Sequence, residues 1–186
     1  MCKLLRLGLI FELVLLSNLV LAQNGKYLKV DTTKYIPWSE ERPITWLDYE
    51  RLDTEVMNAS ALTAVTHSIR GGMSKGKPSF EVYVLFKIED SWTTTTTDST
   101  LFAHEKLHFD IAEMYGRMLR KQIAAMGDKG VTDLAEYRKA IKYLLAKFNE
   151  KSFEYDDETN HGAVLKEQKR WQIFVSSELQ RLHEYM

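Results

Sequence analysis

Residues 98–113 read Asp98-Ser99-Thr100-Leu101-Phe102-Ala103-His104-Glu105-Lys106-Leu107-His108-Phe109-Asp110-Ile111-Ala112-Glu113. Asp98, Ser99 or Thr100 is suited to cap a helix, and the pattern from Leu101 to about Met126 is helical, broken only by Gly116. Gly127 and Gly130 end it. On such a helix His104 and His108 differ by about 40° around the axis and stand one above the other, so both imidazoles can converge on one metal ion. Zinc suits neutral imidazole ligands, and an open site with three protein ligands leaves room for water. Glu105 follows the first histidine, where its carboxylate can act as general base.

Two ligands do not hold zinc, so a third is expected elsewhere. Asp110 and Glu113 lie about 200° and 140° from His108 around the helix and do not share its face. Of the remaining histidines, His161 is the best placed. It sits in Tyr155-Asp156-Asp157-Glu158-Thr159-Asn160-His161-Gly162, at the start of a further helix, and Gly162 lets another backbone approach. Asp157 is the alternative ligand. Tyr155 and His67 are candidates to donate a hydrogen bond to a developing oxyanion, though each suits core packing equally well.

Around this centre the chain divides into a strand-rich front and a helical back. Phe80, Val82, Val84, Phe86 and Ile88 alternate with Glu81, Tyr83, Leu85, Lys87 and Glu89, a strong strand signal. If that strand lay at an edge it could pair with an extended substrate. Ile44–Tyr49 reads as a short strand, and Ala61–Ile69 as another ending in a turn at Gly71-Gly72, with a further turn over Lys75–Pro78. A second helix is expected over Leu134–Phe148, capped by Thr132 or Asp133, then a polar acidic stretch over 149–160, then a last helix over about 163–183. Trp46, Trp92 and Trp171 are simplest as core residues. The fold class expected is α+β: a short, mostly antiparallel sheet, an active-site helix and two further helices.

Residues 1–22 read as a cleaved secretory signal. Lys3 and Arg6 precede an apolar run, and Ala22 stands just before Gln23. The run is interrupted by Glu12, Ser17 and Asn18 and is short for a membrane span, so no stable membrane insertion is expected after cleavage. Residues 23–42 form an N-terminal extension lying along the surface or adding an edge strand, and 43–186 form the domain. The only cysteine, Cys2, falls in the signal, so no disulfide holds the product. The whole chain carries 25 basic and 26 acidic residues, net −1, which argues against a nucleic-acid partner recognised through a basic field.

The chain resembles the bacterial secreted family called domain of unknown function 922, described as predicted zinc-dependent proteases. The resemblance rests on Ile44–Tyr49, Ser91-Trp92, His104–Glu113 and Tyr155–Gly162, with Gln168 and Trp171 after, and spans roughly Pro43 to Leu179. It implies a zincin-like metallopeptidase with His104, His108 and His161 as zinc ligands, Glu105 as catalytic base and a peptide or protein as substrate. Leu107 stands where a small residue is expected in relatives, crowding the cleft side of the helix. The expected function is a secreted or periplasmic zinc peptidase; the alternative is a zinc-binding envelope protein without turnover that binds a partner.

Overall fold

The computed structural model describes residues 30–56 and 59–186. The expected signal over 1–22, and the extension as far as residue 29, lie outside the described residues. The described chain is mixed α+β, with two small sheets followed by three helices.

The first sheet has the order β1 (Tyr35–Pro37), β5 (Lys77–Lys87), β4 (Val65–Ser74), all antiparallel. The period-two alternation of β5 puts Val82, Val84 and Phe86 on the buried face. The extension thus does add an edge strand, so β5 is interior over Leu85–Lys87 and is bonded along its whole length on its other side by β4. In the second sheet, β6 (Trp92–Thr93) lies between β2 (Glu50–Arg51), which runs parallel to it, and the antiparallel β3 (Ala61–Leu62).

Two strand-level expectations are corrected. Gly71-Gly72 is not a turn: both residues stay in β4, and the two-residue turn is Lys75-Gly76, with φ of 50° and 78°. Positive φ at both positions is the twist that closes a tight hairpin. The Phe80 ring lies over Gly71, where a Cβ would come within 2.1 Å of it, and stacks on Tyr137 at 4.9 Å. Ile44–Tyr49 is likewise not a strand. Trp46–Asp48 forms a 3-10 turn, closed by the Asp48 carboxylate accepting from the Thr45 N–H at 2.7 Å. Leu47 is left 93% exposed while Trp46 packs on Tyr49 and Phe102.

Helix α1 (Ser99–Asp128) begins where Asp98 accepts from the N–H groups of Thr100 and Leu101, both at 2.9 Å. It is buried on several sides because β4, β5, α2 and α3 all pack on it. Gly116 permits the closest approach to the sheet, since a Cβ there would lie 2.4 Å from a Val84 methyl. Helix α2 (Leu134–Thr159) starts at the Asp133 cap and runs 11 residues beyond the expected end at Phe148. The acidic stretch is helical because Phe148, Tyr155 and Thr159 continue a buried seam at spacings of seven and four. Ion pairs Lys147–Glu150 and Lys151–Glu154 line its outer face.

Helix α3 (Leu165–Arg181) buries Gln168, Trp171 and Val175. Trp171 is core as expected, whereas Trp46 and Trp92 are half-buried. Leu107 joins the core cluster and lines a groove with Val175 and Leu179; none of the three donor side chains described below borders that groove. The expected crowding is therefore directed into the core. Among the described residues, no helix is long and apolar enough to cross a membrane.

Candidate metal centre

The two histidines of α1 converge as their spacing requires. Their Nε2 atoms are 3.2 Å apart. The Asp156 Oδ1 atom lies 3.2 Å from the Nε2 of His104 and 3.0 Å from that of His108. These three donors form the candidate metal group among the described residues. The third convergent donor is thus Asp156, neither His161 nor Asp157. Because the acidic stretch is helical, Asp156 and Asp157 point about 100° apart, and only Asp156 faces α1 while Asp157 is exposed.

His161 lies close by but outside the triangle. Its Nδ1 is 3.7 Å from Asp156 Oδ1, its ring centre is 6.5 Å from that of His104, and its side chain is 77% exposed. The left-handed backbone at His161, φ 54°, turns the side chain outward. Gly162 continues the turn at φ 85°, bringing its backbone onto His104; a Cβ at Gly162 would stand 2.9 Å from the His104 Cβ. The room left at Gly162 is taken up by the His104 side chain rather than by another backbone.

Ligands about 2.0–2.1 Å from a tetrahedral metal ion stand about 3.3–3.4 Å from one another. The observed separations of 3.0 to 3.2 Å fall just inside that spacing. His104 Nδ1 lies 3.3 Å from Gln168 Oε1, and its Nε2 is the ring atom that faces the other two donors. Such convergence calls for a cation or proton in the triangle, and two imidazoles with one carboxylate fit a first-row divalent ion. Burial pushes the His108 pKa down, but hydrogen bonding to Asp156 and the charges of Asp156 and Glu105 more than offset it, and the net shift is upward. Asp156 is held well below the usual carboxylate range: burial opposes this, and the two histidines outweigh it.

Glu105 is 6% exposed, and its carboxylate has no hydrogen-bond or ion-pair partner among the described residues. Its oxygens therefore keep contact with solvent. It sits about 60° around the helix from His108, beside the donor pair. The nearest other acids of α1, Asp110 and Glu113, are engaged elsewhere. Asp110 accepts from Trp38 Nε1 at 2.9 Å and from Lys106 at 2.6 Å, and Glu113 accepts from Arg117 and Arg120.

The two candidate oxyanion donors are placed otherwise. Tyr155 is fully buried, stacks on His104 at 4.6 Å and directs its hydroxyl to Gln168 Oε1 at 2.7 Å and the His104 carbonyl at 3.2 Å. It is a support behind the His104 ring, with its hydroxyl already engaged. His67 donates from Nε2 to the Ala112 carbonyl at 2.9 Å and packs on Phe148.

Asp156 and the bracket formed by Tyr155 and Gln168 are the features of the candidate site that sequence reasoning missed. Continuation of the Phe148, Tyr155, Thr159 seam was the signal that could have placed Asp156 on a helix. Residues 84–162 match the family described as "Bacterial protein of unknown function (DUF922)". That match supports the family resemblance and contains all three convergent donors, Glu105 and the His161-Gly162 turn, but not Gln168 or Trp171. No curated protein and no solved structure matches the chain.

Proposed function

We propose that the protein is a zinc-dependent peptidase, in which His104, His108 and Asp156 hold the ion and Glu105 is the general base. The observation that carries this is the triangle of donors 3.0 to 3.2 Å apart beside a mostly buried carboxylate with no hydrogen-bond or ion-pair partner among the described residues. When bound, the ion would supply Lewis acidity, polarising a scissile carbonyl and making a water easier to deprotonate. Glu105 takes the proton of the attacking water and returns it to the leaving amine. His104, clamped by Tyr155, Gln168 and Gly162, keeps its donor atom in register with those of His108 and Asp156. The leader reading of residues 1–22 supports a secreted or periplasmic location, with a peptide or protein as substrate.

A second reading is a zinc-binding envelope protein without turnover. One observation favours it: His161 Nδ1, at 3.7 Å from Asp156 Oδ1, is near enough for a side-chain rotation to bring a fourth donor and close the site. Metal analysis and casein hydrolysis by wild type and Glu105→Gln separate the two readings. The peptidase reading expects about one equivalent of zinc in both proteins and a loss of about 100-fold or more in hydrolysis by the variant. Hydrolysis equal in the two would remove Glu105 as base, and less than a tenth of an equivalent of metal after reconstitution would remove the metal site.

A further inference from the structure

The side of His104 away from the donor triangle faces a neutral amide from a different helix. Gln168 of α3 is 4% exposed, and its Oε1 lies 3.3 Å from His104 Nδ1 and accepts from the Tyr155 hydroxyl at 2.7 Å. Its Nε2 donates to the Ala103 carbonyl at 3.4 Å. These contacts define which end of the amide meets the histidine. The Ala103 oxygen accepts and cannot face Oε1, while a phenol proton aimed at Oε1 leaves that oxygen as acceptor for Nδ1–H as well.

We propose that Gln168 is a positioning residue that fixes His104 in the Nδ1–H tautomer, so that Nε2 presents a lone pair to a divalent cation. The proposal deepens the metal-site reading and rests on it for its purpose, but the tautomer is set in the metal-free protein, where Gln168 Oε1 at 3.3 Å from Nδ1 competes with Asp156 Oδ1 at 3.2 Å from Nε2 for the ring proton. The pairing also has a chemical consequence. Ligating histidines commonly donate their other N–H to a carboxylate, a backbone carbonyl or water. An amide oxygen fixes orientation in the same way without adding a second negative charge beside Asp156, so the bound cation keeps more of its own charge for a substrate carbonyl.

Two measurements test this, one of them without metal. Long-range proton–nitrogen spectra of the metal-free protein, recorded well above the usual histidine pKa, report which ring nitrogen of His104 carries the proton. The wild type is expected in the Nδ1–H form. Gln168→Glu, which keeps an acceptor, retains that form, and Gln168→Leu shifts it toward Nε2–H. In a cobalt(II) titration Gln168→Leu loses about 10- to 100-fold in affinity, and Gln168→Glu restores most of it. Where Gln168→Leu fails to fold, the wild type and Gln168→Glu still decide the tautomer. His104 found as Nε2–H in the wild type overturns the proposal, as does Gln168→Leu with an unchanged tautomer and affinity. An Nδ1–H wild type that takes up no cobalt upholds the role of Gln168 and overturns the metal reading instead.

Discussion

Gly162→Ala places one methyl group against a proposed ligand, and its effect can be worked out from distances. The new Cβ would meet His104 Cβ at 2.9 Å, Cγ at 3.0 Å and Nδ1 at 3.4 Å. Carbon atoms in contact rest at about 3.5–4.0 Å, so His104 or the turn must retreat by about 0.8 Å. Ligand distances in a working metal site hold within about 0.2 Å, so that displacement is several times the tolerance. The backbone adds a second cost: a side chain at φ 85° lies in the left-handed region, at about 1–2 kcal/mol, and the overpacking adds about 1–3 kcal/mol. Gly162→Ala is therefore expected to lose about 2–5 kcal/mol of stability and at least about tenfold in metal affinity.

Gly130→Ala separates the two costs. Gly130 has φ 71°, but a Cβ there meets nothing within 4 Å, so it bears the backbone cost alone. Urea denaturation of the metal-free variants gives stability, and cobalt(II) titration gives affinity. The expected pattern is a modest stability loss with unchanged affinity for Gly130→Ala, and a loss of both for Gly162→Ala. Wild-type cobalt affinity in a folded Gly162→Ala would refute the reasoning, because His104 could then move by most of an ångström without leaving the metal.

Asp156→Asn should weaken zinc binding by about 100-fold or more, as an anionic member of the donor set is lost, whereas Asp157→Asn should leave it within about twofold. His161→Ala should fall between them if it alters the site only from 3.7 Å away, as competition with a chromophoric chelator would measure. His67 should make the fold acid-sensitive. Burial first, against the Ala112 hydrogen bond and with help from Arg120, pushes its pKa down to about 4. The unfolded chain takes up that proton near the ordinary value of 6.5, so this contribution is complete above about pH 6.5 and disappears as pH falls toward 4. Its size is up to about 3 kcal/mol, and His67→Gln should show a correspondingly flatter stability profile in urea between about pH 7 and pH 4.5. A wild-type profile as flat as that of the variant would contradict a neutral, half-buried His67.

The legible parts of the molecule are those governed by strong local periodicity. The alternation of β5, the Asp98 and Asp133 caps, and the stacking of His104 over His108 all follow from spacing along the chain. The parts that were not legible depend on packing partners far along the chain. Gly71-Gly72 looked like a turn because glycine is permissive, but the Phe80 ring, held against Tyr137 of α2, needs a residue without a side chain beneath it. Trp46-Leu47-Asp48 alternates like a strand, yet Asp48 closes a local turn on Thr45. The 149–160 stretch reads only as polar and acidic, because composition does not show the few inward-facing residues that decide its state. Its helical state rests on three residues facing inward, and that choice moved the third donor from His161 to Asp156.

The Thr159-Asn160-His161-Gly162 block can then be understood by what the turn does. Asn160, His161 and Gly162 have φ of 46°, 54° and 85°, a run of left-handed conformations that is unfavourable for the two residues bearing side chains. The turn is held by specific bonds. The Thr159 hydroxyl donates to the Tyr155 carbonyl at 2.6 Å and accepts from the Gly162 N–H at 3.2 Å, while the N–H groups of His161 and Val164 reach the carbonyls of Asp156 and Thr159 at 3.0 and 2.8 Å. These bonds stop α2 one turn after Asp156 and fold the chain back over His104, which in turn delivers α3 and Gln168 to the far side of the same ring. A histidine beside such a turn draws the eye as a ligand, yet the geometry assigns the structural work to its neighbours: Thr159 ends the helix, Gly162 makes room for His104, and Asp156 supplies the donor. Strain gathered at one helix terminus thus fixes a ring one helix away, and this is why a methyl group at Gly162 should affect metal binding more than a methyl group at Gly130.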